Sequence, residues 1–208
     1  MTTLPEHFAR PHLVDIVVWE GVELLDVAGP AEVFATARSG GVPAFRVRLV
    51  TTGAPTVTTQ AGVVLQAAGR LGDEAPFLLV VPGGASERAV EDEALLAAIR
   101  DAADRAEIVY SVCTGALVLA RAGLLAGVPR ATTWHGALER LRAEAPHLEV
   151  VGDRRWVDHG HLVTSAGVSA GIDGALHLVG RLLGGEARLA VARHMEYADG
   201  APPGHERA

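Results

Sequence analysis

The chain has 208 residues and a formal net charge of −7, and 49% of its residues are hydrophobic but only 4% aromatic. This length suits one compact domain or at most two small ones, and a core of Val, Leu, Ile and Ala is typical of buried parallel strands. The acidic balance and the lack of a basic cluster argue against a nucleic-acid partner, and no apolar run is long enough to cross a bilayer. The N-terminal segment is polar and unlike a signal peptide, so we expect no membrane partner and a cytoplasmic location.

Residue types that are rare or missing in the chain exclude several kinds of catalytic and metal site. The single cysteine excludes an intrachain disulfide framework and a Cys-rich zinc site. All 18 basic residues are Arg, which excludes a Schiff-base lysine, a P-loop lysine and a Ser–Lys dyad. The chain also has no asparagine, so the usual Cys-His-Asn triad is impossible. No dinucleotide or P-loop fingerprint occurs, and we expect neither a cofactor nor a metal.

Strand and helix patterns alternate along the chain, and they predict a single domain over 1–198 followed by a polar, disordered tail over 199–208. The predicted elements are a strand over 12–19, a polar loop over 20–26, a helix over 30–38, a strand over 45–52, a hairpin over 56–66, a strand over 77–81, a helix over 92–105, a strand over 108–112, a helix from 114 to near Gly123, an extended segment over 130–135, a helix over 136–144, short strands over 148–152, 155–158 and 161–165, and helices over 169–183 and 186–197.

The alternation predicts a doubly wound, mostly parallel α/β sheet with helices on both faces. In such sheets, functional sites form beyond the carboxyl ends of the strands. The segments 20–26, 82–84 and 113–115 all follow predicted strands at that edge. We therefore expect these three segments to converge.

Cys113 lies at the corner between a β-branched strand and an apolar helix. A thiol at a helix N-terminus faces backbone N–H groups and the positive end of the helix dipole, and both favour the reactive thiolate. Gly115 permits the close helix–strand approach of a nucleophile elbow. The alternative is that Cys113 is simply a small buried hydrophobic residue.

Asp26 is the candidate acid–base partner of this thiol. A carboxyl group near a thiolate can shuttle a proton if burial and the like charge raise its pKa. The alternative is an acidic residue that only stabilises the N-terminus of the helix after it. Spacing alone leaves three competitors for the role, which are Glu20, Glu23 and Glu32.

Gly83 and Gly84 follow the strand over 77–81, and their backbone N–H groups can form an oxyanion hole together with the amide of Thr114. A plain turn after a strand explains these glycines equally well.

Histidines contribute less to the expected site. His135 is the best-placed candidate for the pocket, whereas His159 and His161 flank a predicted turn without a third metal ligand and are expected to be solvated. His177 and His194 fall in predicted helices and are expected to serve packing or to lie on the surface.

Several segments together resemble the ThiJ/PfpI superfamily, whose fold is flavodoxin-like and related to class I glutamine amidotransferases. Within it, the pattern is most similar to the isocyanide hydratase group and to the N-terminal domains of AraC-type regulators. The segments are 25–30 (LDVAGP), 81–84 (VPGG), 111–116 (SVCTGA), 122–127 (AGLLAG), 130–133 (RATT) and 164–173 (TSAGVSAGID). The resemblance implies a homodimer with Cys113 as nucleophile, Asp26 as its acidic partner, Thr114 beside the thiol and Gly84 in the oxyanion region.

Two departures from the family patterns matter. PfpI-type peptidases carry His directly after the cysteine, but this chain has Thr114, so a peptidase would lack its base. The hydratase-like pattern reads Thr-Thr-His-Trp, whereas here Trp134 precedes His135. We therefore assign His135 no catalytic role.

The resemblance implies a cofactor-free, isonitrile hydratase-like enzyme with a small-molecule substrate. The Cys113 thiolate would attack the isonitrile carbon, and Asp26 would deliver a proton and then activate water against the thioimidate, releasing an N-substituted formamide. The alternative is a non-catalytic ligand-sensing domain as in AraC-type regulators. Because few residues follow Tyr197, we expect no direct control of DNA. Glyoxalase- or deglycase-like chemistry also remains open, since it uses the same Cys–carboxylate pair.

Overall fold

The computed structural model describes residues 10–197. The strands are β1 (His12–Val17), β2 (Arg38–Ser39), β3 (Val42–Pro43), β4 (Phe45–Thr51), β5 (Thr56–Thr58), β6 (Val64–Gln66), β7 (Gly69–Arg70), β8 (Leu78–Val81), β9 (Ile108–Ser111), β10 (Arg130–Ala131), β11 (Glu149–Val150), β12 (Trp156–Asp158) and β13 (Leu162–Ser165). The α-helices are α1 (Leu24–Thr36), α2 (Ser86–Ala89), α3 (Glu93–Ala103), α4 (Gly115–Arg121), α5 (Leu138–Glu144), α6 (Ala170–Leu183) and α7 (Gly185–His194), and a 3₁₀ turn spans His135–Ala137.

A seven-stranded sheet forms the centre, in the order β12-β13-β9-β8-β1-β4-β7. Its neighbours pair in parallel except β12 and β13, which form an antiparallel edge. Strands β8 and β9 are buried at every position, as their continuous apolar sequences require. The one charge in the middle of β1 is Asp15, which is fully buried and accepts a 2.6 Å hydrogen bond from Arg48 on β4. This pairing with its register neighbour makes the buried carboxylate tolerable.

Helices flank the sheet on both faces, so the predicted doubly wound, flavodoxin-like fold is confirmed. One group consists of α1 packed against α6 and α7, and another consists of α4 packed against α2 and α5. The approach of α1 to α6 is close, because a side chain at Gly29 would lie 2.9 Å from Ile172. One cluster of buried side chains, from Val14 to Ala192, fills the space between the layers.

The structure differs from the sequence-based prediction at the first helix. Helix α1 begins at Leu24, well before Pro30, so Asp26 belongs to its first turn and not to the preceding loop. In a helix interior, proline removes one hydrogen bond, here the one to the carbonyl of Asp26, and its ring crowds that carbonyl. Helix α1 nevertheless continues through Pro30 to Thr36. The pairs β2–β3 and β4–β7 and the short helix α2 were also not predicted, because elements of two to four residues carry no readable periodicity.

Within residues 10–197, no helix is long and apolar enough to cross a membrane. The predicted tail over 199–208 lies outside the described residues.

Candidate active site

The three loops that the sequence predicts to converge do meet at the carboxyl edge of the sheet. The loop after β1 contacts the loop after β8, because the Glu23 N–H donates to the Gly83 carbonyl at 3.0 Å and Val22 forms a β-bridge with Gly84. The loop after β8 contacts the elbow after β9, because the Gly84 N–H donates to Thr114 Oγ1 at 3.1 Å. Backbone contacts therefore fix the positions of the candidate side chains.

Cys113 occupies a strained corner between β9 and α4. Its φ is +59°, a left-handed value that non-glycine residues rarely adopt. Two contacts hold it there: its N–H donates to the Ala166 carbonyl at 3.1 Å, and its own carbonyl accepts from Thr133 Oγ1 at 2.7 Å. At Gly115, any side chain would collide with the carbonyl oxygen of Val81. The geometry is that of a nucleophile elbow, with the thiol directed into a pocket although it is only 6% exposed.

Asp26 lies beside this thiol and is fully buried. Its Oδ2 accepts a 2.9 Å hydrogen bond from the Gly83 N–H, while its Oδ1 has no partner among the described residues. Burial, assisted by the charge of Glu23, raises the pKa of Asp26 to about 7, although hydrogen bonds from Gly83, Cys113 and Val168 lower it. A carboxyl group in this state can give up or take a proton near neutral pH.

The thiol of Cys113 is not acidified in the resting structure. Burial, followed by the charge of Asp26, raises the pKa of Cys113 to about 12, and the N–H groups of Thr114 and Val168 only partly oppose this. The N–H group at the start of α4 does lower the pKa of the thiol, as the sequence suggests, but burial and the charge of Asp26 have the larger effect. Because a charge on either group disfavours a charge on the other, the first ionisation belongs to the pair and not to one residue.

The amides of Gly83 and Gly84, which the sequence suggests for an oxyanion hole, already have hydrogen-bond partners in the structure. The Gly83 N–H is used by Asp26 and the Gly84 N–H by Thr114 Oγ1, so both amides position neighbouring side chains. Gly84 does line the pocket. The backbone N–H groups that serve the sulfur are those of Thr114 and Val168.

Val168 was missed by the sequence-based prediction. It follows β13 in the loop before α6, and its N–H contributes hydrogen bonds that lower the pKa of both Asp26 and Cys113. Its φ is +54°, an uncommon conformation for a β-branched residue. Backbone donors carry no sequence signal, and here the side chain argues against the conformation adopted.

The pocket in front of Cys113 has a volume of about 460 Å³. Its charged lining residues are Glu23 and the ion pair Glu87–Arg140, whose atoms are 3.2 Å apart. Its other lining residues are Gln60, Gly84, Ser86, Thr114, Leu117, Trp134, Gly136, Ala137 and Val168. A cavity of this size and mixed lining is typical of small-molecule sites.

The remaining candidates fall outside the site. His135 is exposed and does not line the pocket, whereas its neighbour Trp134 does. Glu20 accepts from the Thr58 N–H and Glu32 is exposed, so among the four acids only Asp26 contacts the thiol.

The other histidines also lie elsewhere. His161 and His194 are exposed as predicted, and His159 is half-buried, with Nε2 2.9 Å from the Arg130 carbonyl. His177 packs on Trp156 with ring centroids 3.7 Å apart. Across residues 10–197, no group of three or more His, Cys, Asp or Glu side chains could hold a metal ion.

Comparison with known proteins gives consistent matches. The model of the DJ-1/PfpI family matches residues 12–181. The chain is 38% identical over 195 residues to the isonitrile hydratase of Pseudomonas putida, covering 91% of this chain and 80% of that protein. A crystal structure of a ThiJ/PfpI family protein from Pseudomonas syringae superposes with a TM-score of 0.82 at 27% identity, covering all 100% of this chain and 83% of that one. Drosophila melanogaster DJ-1beta, at 21% identity and a TM-score of 0.77 over 91% of this chain and 100% of its own, matches in fold.

Proposed function

Because the chain belongs to the DJ-1/PfpI family, we propose that it is a cysteine-dependent, isonitrile hydratase-like enzyme that forms N-substituted formamides through a thioimidate. The observation that carries the proposal is the Cys113–Asp26 pair, in which a carboxyl with a pKa raised to about 7 contacts a thiol on an elbow. The isonitrile hydratase relative supplies the substrate class.

The first step starts from the singly protonated pair: the Cys113 thiol passes its proton to the Asp26 carboxylate, which leaves the charge on sulfur. The Cys113 sulfur attacks the terminal carbon of R–N≡C, and Asp26 protonates that carbon. The C–S bond forms as one C–N π bond is lost, and the product is the thioimidate R–N=CH–S–Cys. The N–H groups of Thr114 and Val168 hold the sulfur as its charge changes.

The second step reverses the role of Asp26. Its carboxylate takes a proton from a water molecule, the oxygen adds to the thioimidate carbon, and the proton passes to nitrogen. Collapse of the R–NH–CH(OH)–S–Cys adduct breaks the C–S bond, and the hydroxyl proton returns to Asp26. The formamide R–NH–CHO leaves, and the singly protonated pair is restored.

The raised pKa of the Cys113 thiol favours a second candidate, a pocket that binds a small molecule without turning it over. In this second candidate, Asp26 and Cys113 form a neutral, hydrogen-bonded wall of the pocket.

Part of either proposal is the homodimer that the family resemblance implies. Sedimentation equilibrium tests it, with twice the chain mass of 21.6 kDa expected.

The decisive experiment is the incubation of the purified protein with aryl and alkyl isonitriles, followed by detection of formamides by NMR. We expect turnover in the wild type and none above background in Cys113→Ala, while His159→Ala, altered away from the pocket, stays within about twofold of the wild type. Equal turnover by Cys113→Ala, or no formamide from any isonitrile, would refute the hydratase proposal. Saturable binding without product would support the second candidate.

A further inference from the structure

The indole of Trp134 rests directly on two stretches of backbone. A Cβ at Gly136 would lie 2.5 Å from Trp134 Cη2, and a Cβ at Gly167 would lie 3.1 Å from Trp134 Cγ and still closer to Cδ1. Neither glycine has a positive φ, so close contact and not backbone conformation requires them. The two glycines therefore form a seat that fixes both ends of the ring.

The rest of the indole faces the pocket. Trp134 is 38% exposed and lines the same cavity as Cys113 and Leu117. A large aromatic ring that the backbone already holds in place offers a flat binding surface. Because the side chain is ordered before the ligand binds, little side-chain entropy is lost on binding. Aromatic partners gain from such a surface beyond the area they bury.

The charged groups of the pocket offer little to a charged substituent. Arg140 is already paired with Glu87, and Glu23 adds a further negative charge to the lining. The Glu87–Arg140 pair is exposed, so exchanging Glu87 for a ligand carboxylate changes the free energy little. The charge of Glu23 then opposes an anionic ligand, and a neutral ligand avoids this repulsion.

From this geometry we propose that Trp134, seated on Gly136 and Gly167, selects the nitrogen substituent, so that the site prefers isonitriles with flat, uncharged aryl groups over saturated rings and over anionic groups. This inference rests on the proposed hydratase function for the identity of the reactive group. The inference concerns how the pocket recognises the nitrogen substituent and not the reaction at the Cys113 sulfur.

The test measures binding of the two product types to the full-length chain in a Cys113→Ala background, where no turnover intervenes. Titration calorimetry compares N-phenylformamide with N-cyclohexylformamide, two rings of equal carbon number. We expect the phenyl compound to bind about two- to tenfold more tightly, the range of a single aromatic contact. In Trp134→Leu this preference should fall to within about twofold.

Gly136→Ala keeps the indole but disturbs its seat, so it should also reduce the preference for phenyl. Gly127→Ala is the matched control, because a Cβ there meets nothing within 4 Å and the preference should be unchanged. Circular dichroism verifies that each variant is folded. A phenyl preference that persists in both Trp134→Leu and Gly136→Ala, equal binding of the two compounds, or binding of neither would overturn the inference.

The binding measurements and the formamide assay test the two proposals independently. A wild-type protein that makes no formamide defeats the hydratase proposal, whichever product type the pocket prefers. Conversely, an active enzyme with no Trp134-dependent preference defeats only the inference about the substituent.

Discussion

Asp26→Asn should gain stability relative to the parent protein as the pH rises from 4 to 8. The pKa of Asp26 is raised chiefly by burial, from an ordinary 3.8 to about 7. The folded state therefore binds this proton more tightly than the unfolded chain does. The stabilisation from the bound proton is complete below pH 4 and is lost as the pH rises through 7, leaving a buried charge that disfavours folding.

The size of the effect follows from the two pKa values. A difference of about three units at about 1.36 kcal/mol each corresponds to about 4 kcal/mol between pH 4 and pH 8. Asparagine removes the titration and keeps an oxygen for the Gly83 N–H. We expect the variant to gain this amount relative to the parent as the pH rises, whatever fixed cost the amide adds at acid pH.

Urea unfolding from pH 4 to pH 8 measures the effect, with both proteins in a Cys113→Ala background so that the thiol does not titrate. Glu74→Gln is the contrasting control. The hydrogen bond from Arg46 and the charges of Arg48 and Arg46 lower the pKa of Glu74. Its difference from the parent should therefore be nearly flat above pH 5. A flat difference for Asp26→Asn, or one that falls with pH, would refute the reasoning.

Further predictions concern the elbow. Gly115→Ala places a Cβ against the Val81 carbonyl and should lower the free energy of unfolding by about 2–3 kcal/mol. The control Gly127→Ala should stay within about 0.5 kcal/mol of the wild type. Equal stabilities of the two variants in urea would contradict the close approach at Gly115. Thr133→Val removes the 2.7 Å hydrogen bond to the Cys113 carbonyl and should cost about 1–2 kcal/mol and reduce formamide formation. Unchanged unfolding and turnover would mean that this bond does not hold the elbow.

The convergence of the three loops could be predicted because it depends only on readable features. The strands β1, β8 and β9 lie in mostly apolar segments bounded by polar or Gly/Pro-containing ones, and parallel strands direct their carboxyl ends to one edge. Once these strands are adjacent in the sheet, the loops that follow them must meet. The residues that follow those strands, among them Asp26 and Cys113, could therefore be proposed from the sequence.

The backbone hydrogen bonds of the site could not be predicted from the sequence, because they do not depend on which side chain a residue carries. The donor at Val168 is a backbone N–H in a conformation that valine disfavours. The use of the Gly83 and Gly84 amides depends on distances of a few tenths of an ångström to Asp26 and Thr114. Pro30 indicated a helix start, and the actual start at Leu24 reflects packing that outweighs one lost hydrogen bond.

The two left-handed residues, Cys113 at φ +59° and Val168 at φ +54°, have a consequence for anyone who engineers this protein. Standard rules for thermostability recommend glycine at positive φ and a neutral residue in place of a buried carboxyl. Applied here, those rules select Cys113, Val168 and Asp26 for replacement. A library screened for heat resistance alone would thus enrich folded variants that lack the Cys113–Asp26 pair of the proposed hydratase, and a stabilisation campaign should hold these two positions fixed. Glycine at 168 keeps the backbone N–H and is the replacement that the proposal tolerates.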